Sequence, residues 1–146
     1  MKPNVLIPFD FSPAAERALA WAVDLQASVG GGALEVIHVL DPIPVPVGVG
    51  IPSPAISEQD IEEVRRDLRE AVRKAHAVDA TIRVILSPSA ADAILETAKT
   101  RKSDLIVMGT HGRTGLSRVF LGSVAEHVVR HAGCPVLTLR AAEPQK

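Results

Sequence analysis

Five short apolar runs punctuate the chain, and a segment whose apolar residues recur three and four positions apart lies between each run and the next. Strands joined through helices have to run parallel, so this alternation predicts an α/β fold, a mainly parallel sheet with helices on both faces. Residues 5–9 (VLIPF), 34–39 (LEVIHV), 105–108 (LIVM) and 136–139 (VLTL) read as strands buried on both faces. The fifth run, residues 81–86 (TIRVIL), is interrupted by Arg83 and reads as a strand nearer an edge. Ser12 and Pro13 supply an N-cap and a first-turn proline for a helix with Ala15, Leu19, Ala22 and Val23 on one face, ended by Gly30, Gly31 and Gly32. Ser57 opens a second helix with the stripe Ile61, Val64, Leu68, Val72 and Ala75, where Glu62 and Arg66 have the spacing of an ion pair on a solvated face. Ser89 opens a third, turning Ile94, Leu95 and Ala98 inward, and Ser123 has capping-box spacing to Glu126 at the start of a fourth.

With 146 residues, 47% of them hydrophobic, the chain has material for one core, and residues 1–146 are expected to form a single domain. The stretch at about 40–56, with Pro42, Pro44, Pro46, Pro52, Pro54, Gly48 and Gly50, suits neither helix nor interior strand. It reads as a flexible loop: a disordered insertion on the plain reading, a lid on the functional one. Lys and Arg total 16 against 17 Asp and Glu, so no net field draws the chain to a nucleic acid or an anionic membrane. Four aromatic residues, Phe9, Phe11, Trp21 and Phe120, are too few for a base-stacking platform. Cys134 is the single cysteine, which leaves no disulfide framework and reads as an inert buried thiol. No apolar run approaches the length of a signal-peptide core or a membrane span, so a soluble cytoplasmic protein is expected.

Ligands of open parallel sheets bind beyond the carboxyl ends of the strands, where the strand order reverses. After residues 105–108 come Gly109, Thr110, His111, Gly112, Arg113, Thr114 and Gly115, and then Gly122 and Ser123 at a helix start. Glycines admit close backbone approach, and the first N–H groups and dipole of a helix favour negative charge, so the segment is built for an anion such as phosphate. Arg113 and Arg118 add charge, and His111 adds a hydrogen bond.

Gly109, Gly112, Gly122 and Ser123 form G-x-x-G, nine residues, then G-S, which resembles the nucleotide-binding signature of the universal stress protein family. The resemblance spans nearly the whole chain, through Pro8-Phe9-Asp10-Phe11-Ser12, His38-Val39, residues 103–109 and Cys134-Pro135-Val136-Leu137. It implies a single doubly wound, five-stranded parallel sheet, Rossmann-like and of adenine-nucleotide-binding type. By this resemblance Asp10 lies by the nucleotide, Val39 meets the adenine through its backbone and Gly109 lies by the ribose. Gly112, Gly122 and Ser123 then surround the phosphates, with Pro8, Met108, His111, Arg113 and Val124 as contributing neighbours. Phe9 stands where a smaller residue is common, and its ring is expected to narrow the adenine side.

Asp10 has two readings: a turn residue before Ser12, or a carboxylate that holds Mg²⁺ bridging the phosphates of ATP. Ser123 has two as well, capping Glu126 or meeting phosphate. His127 and His131, four apart, have zinc-ligand spacing, but the glutamate that metalloproteases place after the first histidine precedes it here, so an exposed helix face is expected. No G-K-[ST] follows any of the glycines, and neither Asp10 nor His111 has a recognisable catalytic partner. Three functions stay open: an ATP-binding regulatory switch of stress survival, a slow ATP hydrolase, and a structural homodimer without nucleotide. The resemblance implies a homodimer, and the strand Val136–Leu139 offers the edge for pairing.

Overall fold

The computed structural model describes residues 1–42, 56–111 and 121–142. The elements in chain order are β1 (Asn4–Pro8), α1 (Pro13–Ser28), β2 (Ala33–Leu40), α2 (Glu58–Lys74), β3 (Thr81–Leu86), α3 (Ala90–Thr100), β4 (Leu105–Gly109), α4 (Ser123–His131) and β5 (Val136–Leu139). The five strands form one sheet in the order β3-β2-β1-β4-β5, and every neighbouring pair is parallel. The chain steps from β1 outward to β3, returns across the sheet to β4, and steps outward again to β5. Right-handed crossovers then put α1 and α2 on one face and α3 and α4 on the other. The two cores follow that division. Val5, Ile7 and Val36 pack with Ala18, Leu19, Leu68 and Val72, whereas Leu6, Ile37 and Ile106 pack with Ile94, Ala98 and Val128.

β3 lies at one edge, as the interruption by Arg83 predicts. β5 lies at the other, and its four residues are only half-buried, not covered on both faces as their composition suggests. The reason is positional: an edge strand has a neighbour on one side only. Glu35, on β2, carries the ion pairs of Arg83 (3.0 Å) and Arg101 (2.9 Å).

Caps set the helix boundaries. Ser12 accepts from the Ala15 amide, Ser89 from that of Asp92, and Ser57 forms a reciprocal capping box with Asp60. The Ser57 hydroxyl and amide hold the Asp60 carboxyl below its ordinary value. This contribution is therefore present above the carboxyl's unfolded pKa and is lost as pH falls through the lower folded one. Along α2, Glu62 pairs with Arg65 (2.6 Å) and Arg69 (3.4 Å), whereas Arg66 turns to Asp67 (3.1 Å), so the expected Glu62–Arg66 pair does not form. An exposed carboxylate among several guanidinium groups takes whichever neighbour its rotamer reaches.

Three helices end in the same paired turn. The amides of Gly30 and Gly31 bond to Ala27 and Gln26, those of His76 and Ala77 to Arg73 and Val72, and those of Lys102 and Ser103 to Lys99 and Ala98. Glycine occupies the left-handed position after α1, but His76 (φ 59°) and Lys102 (φ 53°) occupy it after α2 and α3. A Cβ is disfavoured there. His76→Gly and Lys102→Gly are each expected to stabilise the fold by about 0.5–1 kcal/mol, read as a rise in Tm and in the denaturant midpoint; lower midpoints for both would refute the strain argument.

Candidate functional site

The strand order reverses between β1 and β4. β1 pairs with β2 along its whole length, from Asn4↔Ala33 to Pro8↔Ile37, but with β4 only at Val5↔Leu105 and Leu6↔Ile106. Pro8 has no N–H with which to prolong the second seam. Beyond Leu6 the two strands therefore part, and a crevice opens at their carboxyl ends.

On the β1 side the chain turns at once into α1. Asp10 Oδ1 accepts from the Ser12 amide (3.0 Å), and Phe11 between them is left-handed (φ 63°). Asp10 thus performs the turn role that its position suggests. The Phe11 ring meets Phe9 edge-on, with centroids 5.1 Å apart, and tilts against His38 at 5.0 Å. His38 Nδ1 lies 2.7 Å from the Phe9 carbonyl oxygen. A carbonyl only accepts, so Nδ1 carries the proton. Phe9 itself is 3% exposed and belongs to the core beneath α1 and α2. It shares that core with Ile7, Ala15 and Leu19.

Val39 lies at the end of β2, paired in register with Ile85. Met108 is buried in the core beneath α3 and α4, so its side chain supports the site from below. Gly109 ends β4 against the first turn of α1: a Cβ there would stand 2.8 Å from Ala14 Cβ and 3.1 Å from the Ala15 nitrogen. Only a residue without a side chain lets α1 begin this close to the strand.

Thr110, which the sequence does not single out, ties the site together. Its amide donates to Leu139 (2.8 Å), its carbonyl accepts from the Gly122 amide (2.7 Å), and its hydroxyl oxygen lies 2.9 Å from His111 Nδ1. A small polar residue just after a buried strand, 6% exposed here, was the available signal. His111 Nε2 is buried and has no hydrogen-bond partner among the described residues. A Cβ on Gly122 would meet the Thr110 carbonyl oxygen at 2.9 Å, so glycine permits that approach.

The bond to Thr110 makes Gly122 the N-cap of α4, in extended conformation (φ −61°, ψ 155°), and Ser123 the first helical residue. The expected capping box of Ser123 and Glu126 is therefore not formed: the Glu126 amide bonds to the Gly122 carbonyl (2.8 Å), and no side chain caps the helix. The first amides of α4 point outward beside His111, with the positive end of the helix dipole. Ser123 and Val124 are exposed there.

The carboxyl edge of the sheet thus gathers Pro8, Asp10, Val39, Gly109, His111, Gly122, Ser123 and Val124 around the parting of β1 and β4. Gly112, Arg113 and Arg118, like most of the proline-rich segment, lie outside the described residues. His127 and His131 are on the exposed face of α4, stacked at 4.3 Å, with His127 Nε2 3.6 Å from Asp92. Among the described residues no three His, Cys, Asp or Glu side chains are arranged to hold a metal ion. Cys134 is half-buried instead of buried, and burial together with the Asp104 carboxylate pushes its thiol above the ordinary value. No helix among the described residues is long and apolar enough to cross a membrane.

Comparisons with known proteins agree with this fold. A universal stress protein of Methanocaldococcus jannaschii is 35% identical over 98% of this chain and 84% of its own length. One of Thermus aquaticus is 35% identical over 96% of this chain and all of its own. Among solved structures, UspA of Lactobacillus plantarum superposes with a TM-score of 0.75, at 25% identity over 94% of this chain and 97% of that one. A universal stress protein in complex with cAMP gives 0.71, at 24% identity over 96% and 98%. One of Archaeoglobus fulgidus in complex with dAMP gives 0.67, at 24% over 95% and 98%. A sequence model of the universal stress protein family matches residues 1–140, and the chain belongs to that family.

Proposed function

We propose that the crevice between β1 and β4 binds an adenine nucleotide, ATP in the first instance, and that occupancy switches the surface this stress protein offers to a partner. The observation that carries the reading is the start of α4: a helix N-terminus that has no side-chain cap among the described residues, set beside the buried Nε2 of His111, which has no hydrogen-bond partner among them, at the point of strand reversal. Relatives of the same fold are in complex with cAMP and with dAMP, which supports the adenine nucleotide class. In this reading the α4 amides and His111 receive phosphate oxygens, Gly109 lies by the ribose, and the β2 end at Val39 meets the base. Asp10 would be the protein carboxylate for a Mg²⁺ ion, which would supply charge neutralisation at the phosphates. No G-K-[ST] follows the glycines and neither Asp10 nor His111 has a recognisable catalytic partner in the sequence, so slow hydrolysis at most accompanies binding in this reading. Residues 1–146 act as one domain in a reducing compartment, which suits a chain whose single cysteine is Cys134.

The same reading makes the protein a homodimer. β5 is an edge strand whose outer backbone groups lack a ladder partner within the sheet, and its apolar residues are only half-buried. Antiparallel pairing with β5 of a second copy satisfies those groups and closes the assembly on a two-fold axis.

Mass spectrometry of material released on denaturation is expected to show an adenine nucleotide, and emptied protein is expected to take up MgATP, cAMP or dAMP by calorimetric titration; absence of both signals refutes the reading. Ser123→Glu separates binding from folding. A carboxylate in the first turn favours the helix by about 0.3–1 kcal/mol, so Tm is expected to hold or rise, while nucleotide uptake falls at least about tenfold because negative charge then faces phosphate. Unchanged uptake would remove the phosphate from this helix. Sedimentation at micromolar concentration is expected to give a dimer, and a monomer throughout would refute pairing through β5.

A further inference from the structure

A second concavity lies at the opposite edge of the sheet, where the carboxyl ends of α3 and α4 meet the turns that lead into β4 and β5. It is a half-open groove of about 640 Å³, within the range of small-molecule sites. Its floor is apolar and continuous with the core: Ala98 is buried, and Leu95 and Cys134 pack partly buried against the same cluster. The Cys134 thiol is pushed up by burial and by Asp104, so it is a neutral floor atom and not a nucleophile.

The walls carry charge in a polar order. Asp92 lines the groove in the first turn of α3 and Glu96 just past its middle, with Lys99 in the last turn and Lys102 beyond the helix end. Asp92 faces His127 at 3.6 Å, but among the described residues no ion pair engages Glu96, Lys99 or Lys102, although Glu96 and Lys99 are three residues apart on one helix. Lys99 and Lys102 thus line the groove as exposed residues without an ion pair among the described residues. Lys102 holds this place in a left-handed conformation that glycine would adopt without strain. His76 shows that a packed helix end tolerates such a residue, so the charge pattern carries the argument and the strain only accompanies it.

At 1.5 Å per residue Asp92 and Lys99 stand about 10 Å apart along α3, with Glu96 about 4.5 Å before Lys99. A fully extended peptide of three residues spans about 10 Å. A polyanion would set negative charge against Asp92 and Glu96, and a simple carboxylic acid would leave those two without a partner. We propose that the groove between α3 and α4 binds a short zwitterionic peptide of about three residues, its ammonium toward Asp92 and Glu96, its carboxylate toward Lys99 and Lys102, and its apolar side chains on Leu95 and Ala98. This site is independent of the nucleotide crevice, which lies at the carboxyl ends of the strands.

An NMR titration of the full chain with Ala-Leu-Ala, and with its N-acetylated and C-amidated forms, tests the proposal. The free peptide is expected to shift the amides of Leu95, Lys99 and Cys134 in a saturable manner, and blocking either end is expected to weaken binding about tenfold or more. Lys102→Gly is the decisive variant because it removes an ammonium at a position where glycine favours the fold. It is expected to keep or raise Tm, to leave nucleotide uptake unchanged and to weaken the free peptide about fivefold or more. Absence of saturable shifts, equal binding of the blocked peptides, or unchanged affinity in a folded Lys102→Gly protein would each overturn the proposal.

Discussion

The parting of β1 from β4 is the constraint on which the rest of the molecule depends. Two central strands share a seam for two residue pairs and then separate, because Pro8 cannot continue the ladder and because the crossovers on either side of the seam run in opposite directions. From that one reversal follow the two helix layers, the two cores and a crevice at the carboxyl ends of the central strands. A sheet without a reversal would have all its helices on one face and no such opening.

Around the crevice main chain meets main chain closely. Gly109 lets α1 start against the end of β4, and Gly122 lets α4 start against the Thr110 carbonyl. The two helix starts then differ in a way that matters for chemistry. α1 satisfies an amide with its own Ser12 hydroxyl, whereas α4 begins on a glycine that has no side chain to offer. The electropositive end of α4 thus lies, without a side-chain cap among the described residues, beside a histidine whose Nδ1 is already occupied by Thr110.

Much of this could be read from the residues. Strand positions followed from runs of apolar and β-branched residues, and the starts of α1, α2 and α3 from Ser12, Ser57 and Ser89, because a capping hydroxyl acts within three residues of itself. Ser123 misled for the same reason: the spacing to Glu126 satisfied the local rule, but a contact from Thr110, distant along the chain, moved the cap to Gly122. Glu62 and Arg66 had suitable spacing, yet rotamers among crowded exposed charges chose other partners.

The sequence by itself determined the kind of elements, their order and the loop after β4 as the region to search, since periodicity, caps and glycine spacing are local properties of a chain. Only the tertiary structure decided where the sheet reverses, which side chains the two cores absorb, that Thr110 joins His111 to the start of α4, and that the charges of α3 line a groove with Cys134 in its floor. Those outcomes depend on contacts between segments far apart along the chain, whose geometry exists only once the strands have paired and the helices have packed on them.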